Sequence, residues 1–117
     1  MDNKQQGSAI PKLKEKHPEI AQAFETVMKE EYELFARKML DYGKSNITVG
    51  TNLETPEEVK LSMTGLFFRM NDKIQRLKQL VLLGKEDTVG ESVQDTYQDL
   101  SVYNIIAQIV IRGKWAK

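Results

Sequence analysis

The chain has 117 residues, of which 40% are hydrophobic and 29% are charged. This composition is typical of one globular domain and excludes a chain that is disordered as a whole or a multidomain protein. Seventeen basic residues balance seventeen acidic ones, which excludes an overall cationic surface for nucleic acids. The chain has no cysteine, so disulfides, thiolate chemistry and cysteine metal sites are excluded, and the single histidine, His17, excludes multi-histidine metal sites.

The sequence predicts a cytoplasmic protein. The longest apolar stretch, residues 103–111, has nine residues and is interrupted by Asn104 and Gln108, so it is too short to span a membrane. The polar first residues do not have the apolar core of a secretion signal. A chain without cysteine also suits a reducing compartment.

The first third of the chain predicts an arm followed by a long helix. Residues 1–16 show no periodicity and predict a flexible arm, with at most a short turn near residues 10–13. His17-Pro18 indicates the start of a single domain, 17–117, because proline favours the first position of a helix. The first long helix is predicted over 18–42, and residues 44–54, with Asn and Gly, predict a loop long enough to cover a site.

Two capping signals predict two more long helices. Thr55-Pro56, with Glu58 three residues after the threonine, predicts a capping box and a helix that continues to about Leu83. Thr88 and Glu91 predict a second capping box and a third helix that ends at Ile111. Because no segment alternates like a strand, the fold class is predicted to be all-α, a bundle of three long helices.

The second and third helices also carry apolar residues on the faces opposite their core stripes. A three-helix bundle cannot bury both faces, so we expect self-association to complete the fold, most simply as a twofold dimer. These residues are Leu61 and Phe68 on the second helix, and Val93, Leu100, Ala107 and Ile111 on the third.

Charged residues fall within the apolar stripes. Glu31 and Lys38 lie in the centre of the stripe of the first helix, and the stripe of the third helix extends backwards through Glu91, Asp95 and Asp99. Burying like charges is costly unless cations compensate them. The second helix offers such cations, because Arg69, Lys73 and Arg76 follow one flank of its core stripe.

Each charged group has two interpretations. The three acids spaced by four are candidate Mg²⁺ ligands and catalytic residues: Glu91, Asp95 and Asp99, with Glu31 as a further ligand. In the alternative interpretation, Glu91 caps the third helix, while Asp95 and Asp99 pair with Arg69 and Arg76. Arg69, Lys73, Arg76 and Lys38 are candidate phosphate ligands. They are alternatively cations on a solvated edge, with Lys38 paired to Glu31 or Asp41.

Three segments together resemble the nucleotide-modification-associated domain of phages and bacteria. They are Lys38-Met-Leu-Asp-Tyr-Gly43, Arg69-Met-Asn-Asp-Lys73-Ile-Gln-Arg76-Leu, and Glu91-Ser-Val-Gln-Asp95-Thr-Tyr-Gln-Asp99-Leu-Ser-Val-Tyr103. The resemblance covers about residues 25–112 and implies an all-α domain, a phage or prophage setting and a link to nucleotides.

More distantly, the chain is similar to MazG-type and dimeric-dUTPase-type all-α pyrophosphatases. Those enzymes bind Mg²⁺ through paired carboxylates on two helices and cleave nucleoside triphosphates to monophosphate and pyrophosphate. This chain differs from them in two ways: its Glu30-x-x-Glu33 pair faces away from the apolar stripe, and its third-helix acids are spaced by four.

We therefore expect a small all-α nucleotide-binding protein, a candidate Mg²⁺-dependent nucleotide pyrophosphohydrolase in phage nucleotide metabolism or modification. Its expected partners are a nucleotide or nucleotide-derived small molecule and a second copy of the chain, with no membrane and no strong nucleic-acid signal. The alternatives are a non-catalytic binder that sequesters a nucleotide, and a structural or regulatory adaptor in which the charges form internal ion pairs.

Overall fold

The computed structural model describes residues 7–116, and all regular structure in this range is helical. The all-α class is confirmed. The joining of the three long helices into one bundle, and self-association, stay predictions. The elements are α1 (Ile10–Lys16), α2 (Pro18–Tyr42), α3 (Ser45–Thr48), α4 (Pro56–Leu77) with a π-helical turn (Lys78–Leu82), and α5 (Val93–Ile111).

The chain divides into two compact units, residues 1–36 and 37–117. In the first unit, residues 10–16 of the predicted arm form α1, while residues 1–6 lie outside the described range. Pro11 in the first turn and basic residues in the last turn favour this helix. An ion pair of 3.1 Å between Lys14 Nζ and Glu25 Oε1 joins α1 to α2.

In the second unit, α4 packs along α5, and α3 packs on α4. Leu66 of α4 and Ile106 and Val110 of α5 are buried at the centre of this unit. Ser62 and Thr96 are completely buried, and their small side chains allow the helices to approach closely. Both hydroxyls donate to backbone carbonyls, so neither polar group is left unsatisfied.

The predicted loop 44–54 contains the short helix α3, so the expectation of an irregular loop is wrong for residues 45–48. The reason is tertiary. Three side chains from α4 and the C-terminal segment donate hydrogen bonds to carbonyls in and beside α3. The carbonyls of Asn46 and Ile47 are too near the end of this short helix to be satisfied within it, whereas that of Lys44 also accepts from the Ile47 and Thr48 N–H groups. The bonds run from Ser62 Oγ to the Ile47 carbonyl (2.6 Å), from Arg69 Nη2 to that of Asn46 (2.8 Å), and from Trp115 Nε1 to that of Lys44 (3.3 Å).

The second helix begins as predicted and ends differently. Thr55 Oγ1 accepts a hydrogen bond from the Glu58 N–H (3.1 Å), while the Glu58 carboxylate accepts from the Glu54 N–H (2.9 Å), one residue earlier than in a standard capping box. The helix continues to Leu82, but its last turn is π-helical. Gly84 follows with a φ of 66°, a left-handed conformation that favours glycine.

The predicted start of the third helix is wrong. The N-cap of α5 is Ser92, whose Oγ accepts from the Asp95 N–H (3.0 Å) while Asp95 Oδ2 accepts from the Ser92 N–H (3.1 Å). Both Thr88-Glu91 and Ser92-Asp95 have the spacing of a capping box, and the second one forms. Glu91 therefore precedes the helix, and Asp95 belongs to its first turn.

The cap can be tested with a matched pair of variants. Ser92→Ala removes the acceptor for the Asp95 N–H and is expected to lower the free energy of unfolding by about 1 kcal/mol. Thr88→Ala, at the position that the sequence suggested, is expected to change it by less than about 0.5 kcal/mol. Urea denaturation followed by circular dichroism measures both. A larger loss for Thr88→Ala than for Ser92→Ala would contradict the observed cap.

Several apolar side chains are more than half exposed. The apolar stripe predicted for the first helix includes Ile20, Phe24 and Tyr42, and that of the second helix includes Ile74. All four are more than half exposed, so their expected burial is wrong for the chain by itself. Of the faces predicted for self-association, Phe68 and Ile111 are more than half exposed, whereas Leu100 and Ala107 are half-buried. None of the helices in residues 7–116 is long and apolar enough to cross a membrane.

Candidate functional site

Six charged side chains of the second unit meet beside the α4–α5 contact, and we refer to them as the charged cluster. Three are cations and three are carboxylates, so the cluster is neutral when all are ionised. Five of the six side chains are only 21–29% exposed, which strengthens their interactions relative to surface ion pairs. The members are Lys38 of α2, Lys73 and Arg76 of α4, Asp99 of α5, and Asp87 and Glu91 of the connection before α5.

Lys73 lies between two carboxylates. Its Nζ is 2.6 Å from Glu91 Oε1 and 3.0 Å from Asp99 Oδ2. Burial alone would lower the pKa of this ammonium group, but its hydrogen bonds to Glu91 and Asp99, and their negative charges, outweigh burial and raise the pKa of Lys73 above its usual value. Lys73 is therefore a firmly protonated cation that links α5 to the preceding segment.

Arg76 holds the same connecting segment at two further points. Its Nη2 donates to Asp87 Oδ1 (2.7 Å) and to the backbone carbonyl of Glu91. The hydrogen bond from Arg76 is the main reason that the pKa of Asp87 lies below its usual range. The buried Nε of Arg76 is 3.2 Å from Glu91 Oε2, close enough for an ion pair, but the angle does not give a hydrogen bond.

Lys38 is the most loosely held cation of the cluster. Its Nζ lies 3.7 Å from Asp99 Oδ1, and its side chain is 52% exposed. An ion pair with this exposure contributes about 0–1 kcal/mol. Lys38 can thus turn to an external anion at little cost.

Three predicted site residues lie outside the cluster. Arg69 donates to the Asn46 carbonyl, and Asp95 is an exposed residue whose carboxylate caps α5. Glu31 is buried in the first unit at 8% exposure, and its role as a metal ligand stays a prediction. The expected pairing of Asp95 and Asp99 with Arg69 and Arg76 is wrong, because Asp99 contacts Lys73 and Lys38 instead.

Sequence reasoning missed Asp87 and Ser92. Asp87 belongs to the acid-rich segment 85–99, which carries five acids and one base, so the charge count contained the signal, but no periodicity placed this residue near Arg76. Ser92 was missed because the capping box was assigned to Thr88 and Glu91, which have the same spacing as Ser92 and Asp95. Both residues lie in the connection between α4 and α5, where the helical periodicity does not apply and therefore does not predict which way a side chain points.

A Mg²⁺ site requires several oxygen ligands that lie close together. Within residues 7–116 no group of three or more histidine, aspartate or glutamate side chains is placed to hold a metal ion. Glu91 and Asp99 nevertheless face one cation, the Lys73 ammonium group. Mg²⁺ is commonly held by one or two carboxylates together with oxygen ligands from its substrate, so the chemistry of this pair is compatible with Mg²⁺ only where further ligands come from outside the chain.

A cavity of about 590 Å³ opens elsewhere in the second unit, between the loop before α4 and the C-terminal segment. Its lining includes Leu53, Val59, Val110 and Gly113, and none of the six members of the charged cluster. The cavity therefore does not enlarge the candidate site.

A comparison with protein families matches residues 38–111 to the family described as nucleotide modification associated domain 1. The matched segment covers 74 of the 117 residues. It begins at Lys38 and contains the whole charged cluster, whereas Glu31 lies outside it. Comparisons with curated proteins and with solved structures gave no match.

Proposed function

The chain belongs to the nucleotide modification associated domain 1 family, and on this premise we propose that it binds a nucleotide, or a phosphorylated compound derived from one, at the charged cluster. The observation that carries the proposal is the convergence of Lys38, Lys73 and Arg76. These cations come from two helices that are distant in sequence, and they meet inside the family-matched segment. Lysine and arginine are the side chains that bind phosphates, arginine through its two-pronged guanidinium group.

The internal ion pairs determine how such a ligand would bind. A bare phosphate would have to separate Lys73 from Glu91 and Asp99 and would leave two carboxylates unpaired. A nucleotide accompanied by Mg²⁺ supplies both signs, because its phosphates take the lysine side chains and the ion takes the carboxylates. The neutral cluster can exchange partners in this way without leaving a buried charge uncompensated.

The proposed roles follow from these contacts. Lys38 and Lys73 bind phosphate oxygens, Arg76 keeps the connecting segment in place, and Glu91 and Asp99 hold Mg²⁺. Arg69 and Asp95 support the site indirectly, since Arg69 fixes the α3 carbonyl and Asp95 fixes the start of α5.

A finer part of the proposal is hydrolysis of a nucleoside triphosphate, as in MazG-type pyrophosphatases, in phage nucleotide metabolism or modification. Bound Mg²⁺ would supply polarisation of the phosphate. Asp99 is the residue best placed to orient a water molecule, because its two carboxylate oxygens face different partners. One oxygen lies toward the exposed Lys38 and the other toward Lys73, so one can hold Mg²⁺ while the other contacts water.

Thermal shift with a panel of nucleoside mono-, di- and triphosphates, with and without Mg²⁺, tests the binding proposal. A ligand at about 100 times its Kd stabilises the folded state by about 2.7 kcal/mol, so a binder is expected to raise the Tm by several degrees. Lys38→Met is expected to weaken that binding about tenfold with little loss of stability, since Lys38 is loosely held. Lys60→Met, an exposed lysine of the same helix as Lys73, is the control and is expected to bind as the wild type does.

Product analysis separates an enzyme from a sequestering binder. Turnover of a triphosphate to monophosphate and pyrophosphate that is lost in Asp99→Asn supports hydrolysis. Stoichiometric binding without product supports sequestration. Absence of any shift across the panel would contradict nucleotide binding.

A structural or regulatory adaptor is the second candidate, and one observation favours it: Lys38, Lys73 and Arg76 all have carboxylate partners within the chain. In that case the cluster only joins α4, α5 and their connection. The adaptor predicts no Tm shift with any nucleotide, together with a loss of stability when Lys73 is replaced.

A further inference from the structure

The connection between α4 and α5 contains a stretch, residues 84–90, that we call the strap. Every residue of the strap is exposed. It is bounded by Gly84 and Gly90, whose φ angles of 66° and 78° are left-handed and favour glycine. A segment that buries so little apolar surface has little packing to keep it in place. Its position must therefore depend on hydrogen bonds and ion pairs.

One side chain of the strap reaches back to α4. Asp87 Oδ1 accepts a hydrogen bond from Arg76 Nη2 (2.7 Å) and another from the Val89 N–H (3.0 Å). Among the residues that the structure describes, the contact between Asp87 and Arg76 is the one hydrogen bond or ion pair that joins residues 86–90 to a helix. Asp87 therefore fixes both the local turn of the strap and its position on α4.

The contact of Arg76 with Asp87 can be lost without loss of its contacts with Glu91. Arg76 Nη2 also donates to the Glu91 carbonyl, and Arg76 Nε lies 3.2 Å from Glu91 Oε2. Lys73 holds the same carboxylate independently, with Nζ 2.6 Å from Glu91 Oε1. Release of Asp87 therefore frees the strap alone and leaves Glu91 anchored in the charged cluster.

Asp87 occupies a cation that is suited to bind phosphate. Arg76 and Lys73 are three residues apart on α4 and both contact the Glu91 carboxylate, so a phosphate group bound to Lys73 lies next to Arg76. The guanidinium group binds carboxylates and phosphates through the same N–H donors. The hydrogen bond from Arg76 is also the main reason that the pKa of Asp87 is lowered, so this carboxylate is charged at neutral pH, as a phosphate is. The two anions therefore compete for one donor group.

We propose that Asp87 is an internal competitor of the ligand's phosphate for Arg76, and that ligand binding releases the strap. The inference rests on the proposed function, because it concerns the same cations. In the free chain Asp87 occupies Arg76. In the complex a phosphate oxygen takes its place, and Arg76 becomes a third phosphate ligand beside Lys38 and Lys73, while its bond to the Glu91 carbonyl keeps the rest of the connection in position. The apparent affinity is lowered in proportion to the fraction of chains in which Asp87 holds Arg76.

Equilibrium dialysis against an equimolar mixture of ribo- and deoxynucleoside triphosphates with Mg²⁺ tests the competition. Asp87→Asn keeps the size of the side chain and an acceptor for the Val89 N–H but removes the charge, and it is expected to lower the apparent Kd about fivefold. Glu86→Gln, which removes the same charge at the neighbouring exposed position, is the control and is expected to bind as the wild type does.

The outcomes separate this inference from the binding proposal. Binding that is equally strong in Asp87→Asn and the wild type, or an equal gain in Glu86→Gln, would overturn the competition and leave the binding proposal intact. Binding by Asp87→Asn alone would support both. Absence of binding in all three proteins would overturn both.

A spin label tests the strap itself, with and without nucleotide. The chain contains no cysteine, so Thr88→Cys places a single nitroxide in the strap, and Lys60→Cys places one at an exposed position of α4 as the control. In electron paramagnetic resonance spectra, the label at residue 88 is expected to become more mobile when Asp87→Asn is added. It is also expected to become more mobile in the presence of Asp87 when the triphosphate mixture and Mg²⁺ are added, while the label at residue 60 is unchanged.

Two results of the spin-label experiment would overturn the inference. A label at residue 88 that is equally mobile with and without the Asp87 carboxylate would show that this contact does not hold the strap. A label that becomes less mobile with the triphosphates would show that the strap closes on the ligand, a result that would still support nucleotide binding.

Discussion

Replacing Lys73 with methionine is expected to lower the free energy of unfolding by about 2 kcal/mol. Methionine keeps the length and apolar stem of the side chain, so the change removes mainly the ammonium group between Glu91 and Asp99. Removing one partner of a buried ion pair costs about 3–5 kcal/mol and of an exposed pair about 0–1 kcal/mol, and a side chain that is 21% exposed lies between these limits.

A double-mutant cycle identifies the source of this loss. Lys73→Met, Asp99→Asn and the double variant are compared by urea denaturation, and the double variant is expected to be more stable than the sum of the single losses predicts. Lys60→Met again serves as the control for loss of a lysine from α4. Additive losses would show that Lys73 and Asp99 do not interact in solution, and the charged cluster would then not be the site proposed above.

The raised pKa of Lys73 gives the same prediction a pH dependence. A group whose pKa is higher in the folded state stabilises that state fully below its unfolded value, and the contribution is lost as the pH rises through the folded value. For Lys73 the usual value is 10.5, so its contribution is expected to fall only at pH values above this. The wild type should lose stability there more steeply than Lys73→Met, which has no group to titrate at this position.

The second large effect is expected from Trp115. The change Trp115→Ala should lower the free energy of unfolding by about 3–5 kcal/mol, the usual cost of removing a large buried aromatic side chain. Trp115 is 6% exposed, and its Nε1 donates to the Lys44 carbonyl beside α3. The variant therefore leaves a cavity and also releases one of the three bonds that hold this short helix.

The variant Trp115→Phe separates these two contributions. It keeps most of the buried ring but removes the N–H donor. Because the Lys44 carbonyl still accepts from the Ile47 and Thr48 N–H groups, the variant is expected to cost about 0.5–1.5 kcal/mol, the net contribution of one hydrogen bond. Thermal denaturation followed by far-ultraviolet circular dichroism measures both variants. Equal losses in Trp115→Ala and Trp115→Phe would assign the whole effect to the hydrogen bond, and a negligible loss in both would contradict the burial of this side chain.

Local signals in the sequence determined the all-α class and the positions of α2 and α4. Pro18 and Thr55-Pro56 mark helix starts because proline's fixed φ and the threonine hydroxyl satisfy local requirements of the backbone. The sequence also shows a basic stretch over residues 60–78, with five basic residues and one acid, and an acid-rich segment over residues 85–99, with five acids and one base. The capping signals depend on residues within about one helical turn of each other, and the charge counts depend on composition alone. Both can therefore be obtained from the sequence without knowledge of the fold.

The tertiary structure decided which of these charges meet. Placing residues around an ideal helix gives the face of each side chain, but it does not show which face of another element lies opposite. Lys73 and Arg69 lie on the same flank of α4, but they have different partners. Lys73 contacts Glu91 and Asp99, whereas Arg69 donates a hydrogen bond to the Asn46 carbonyl. Both Thr88 and Ser92 satisfy the local pattern of an N-cap, and the structure uses Ser92. Arg76 of α4 holds Asp87 and Glu91, and Gly90 has a left-handed φ of 78°, so the segment before Ser92 stays outside the helix.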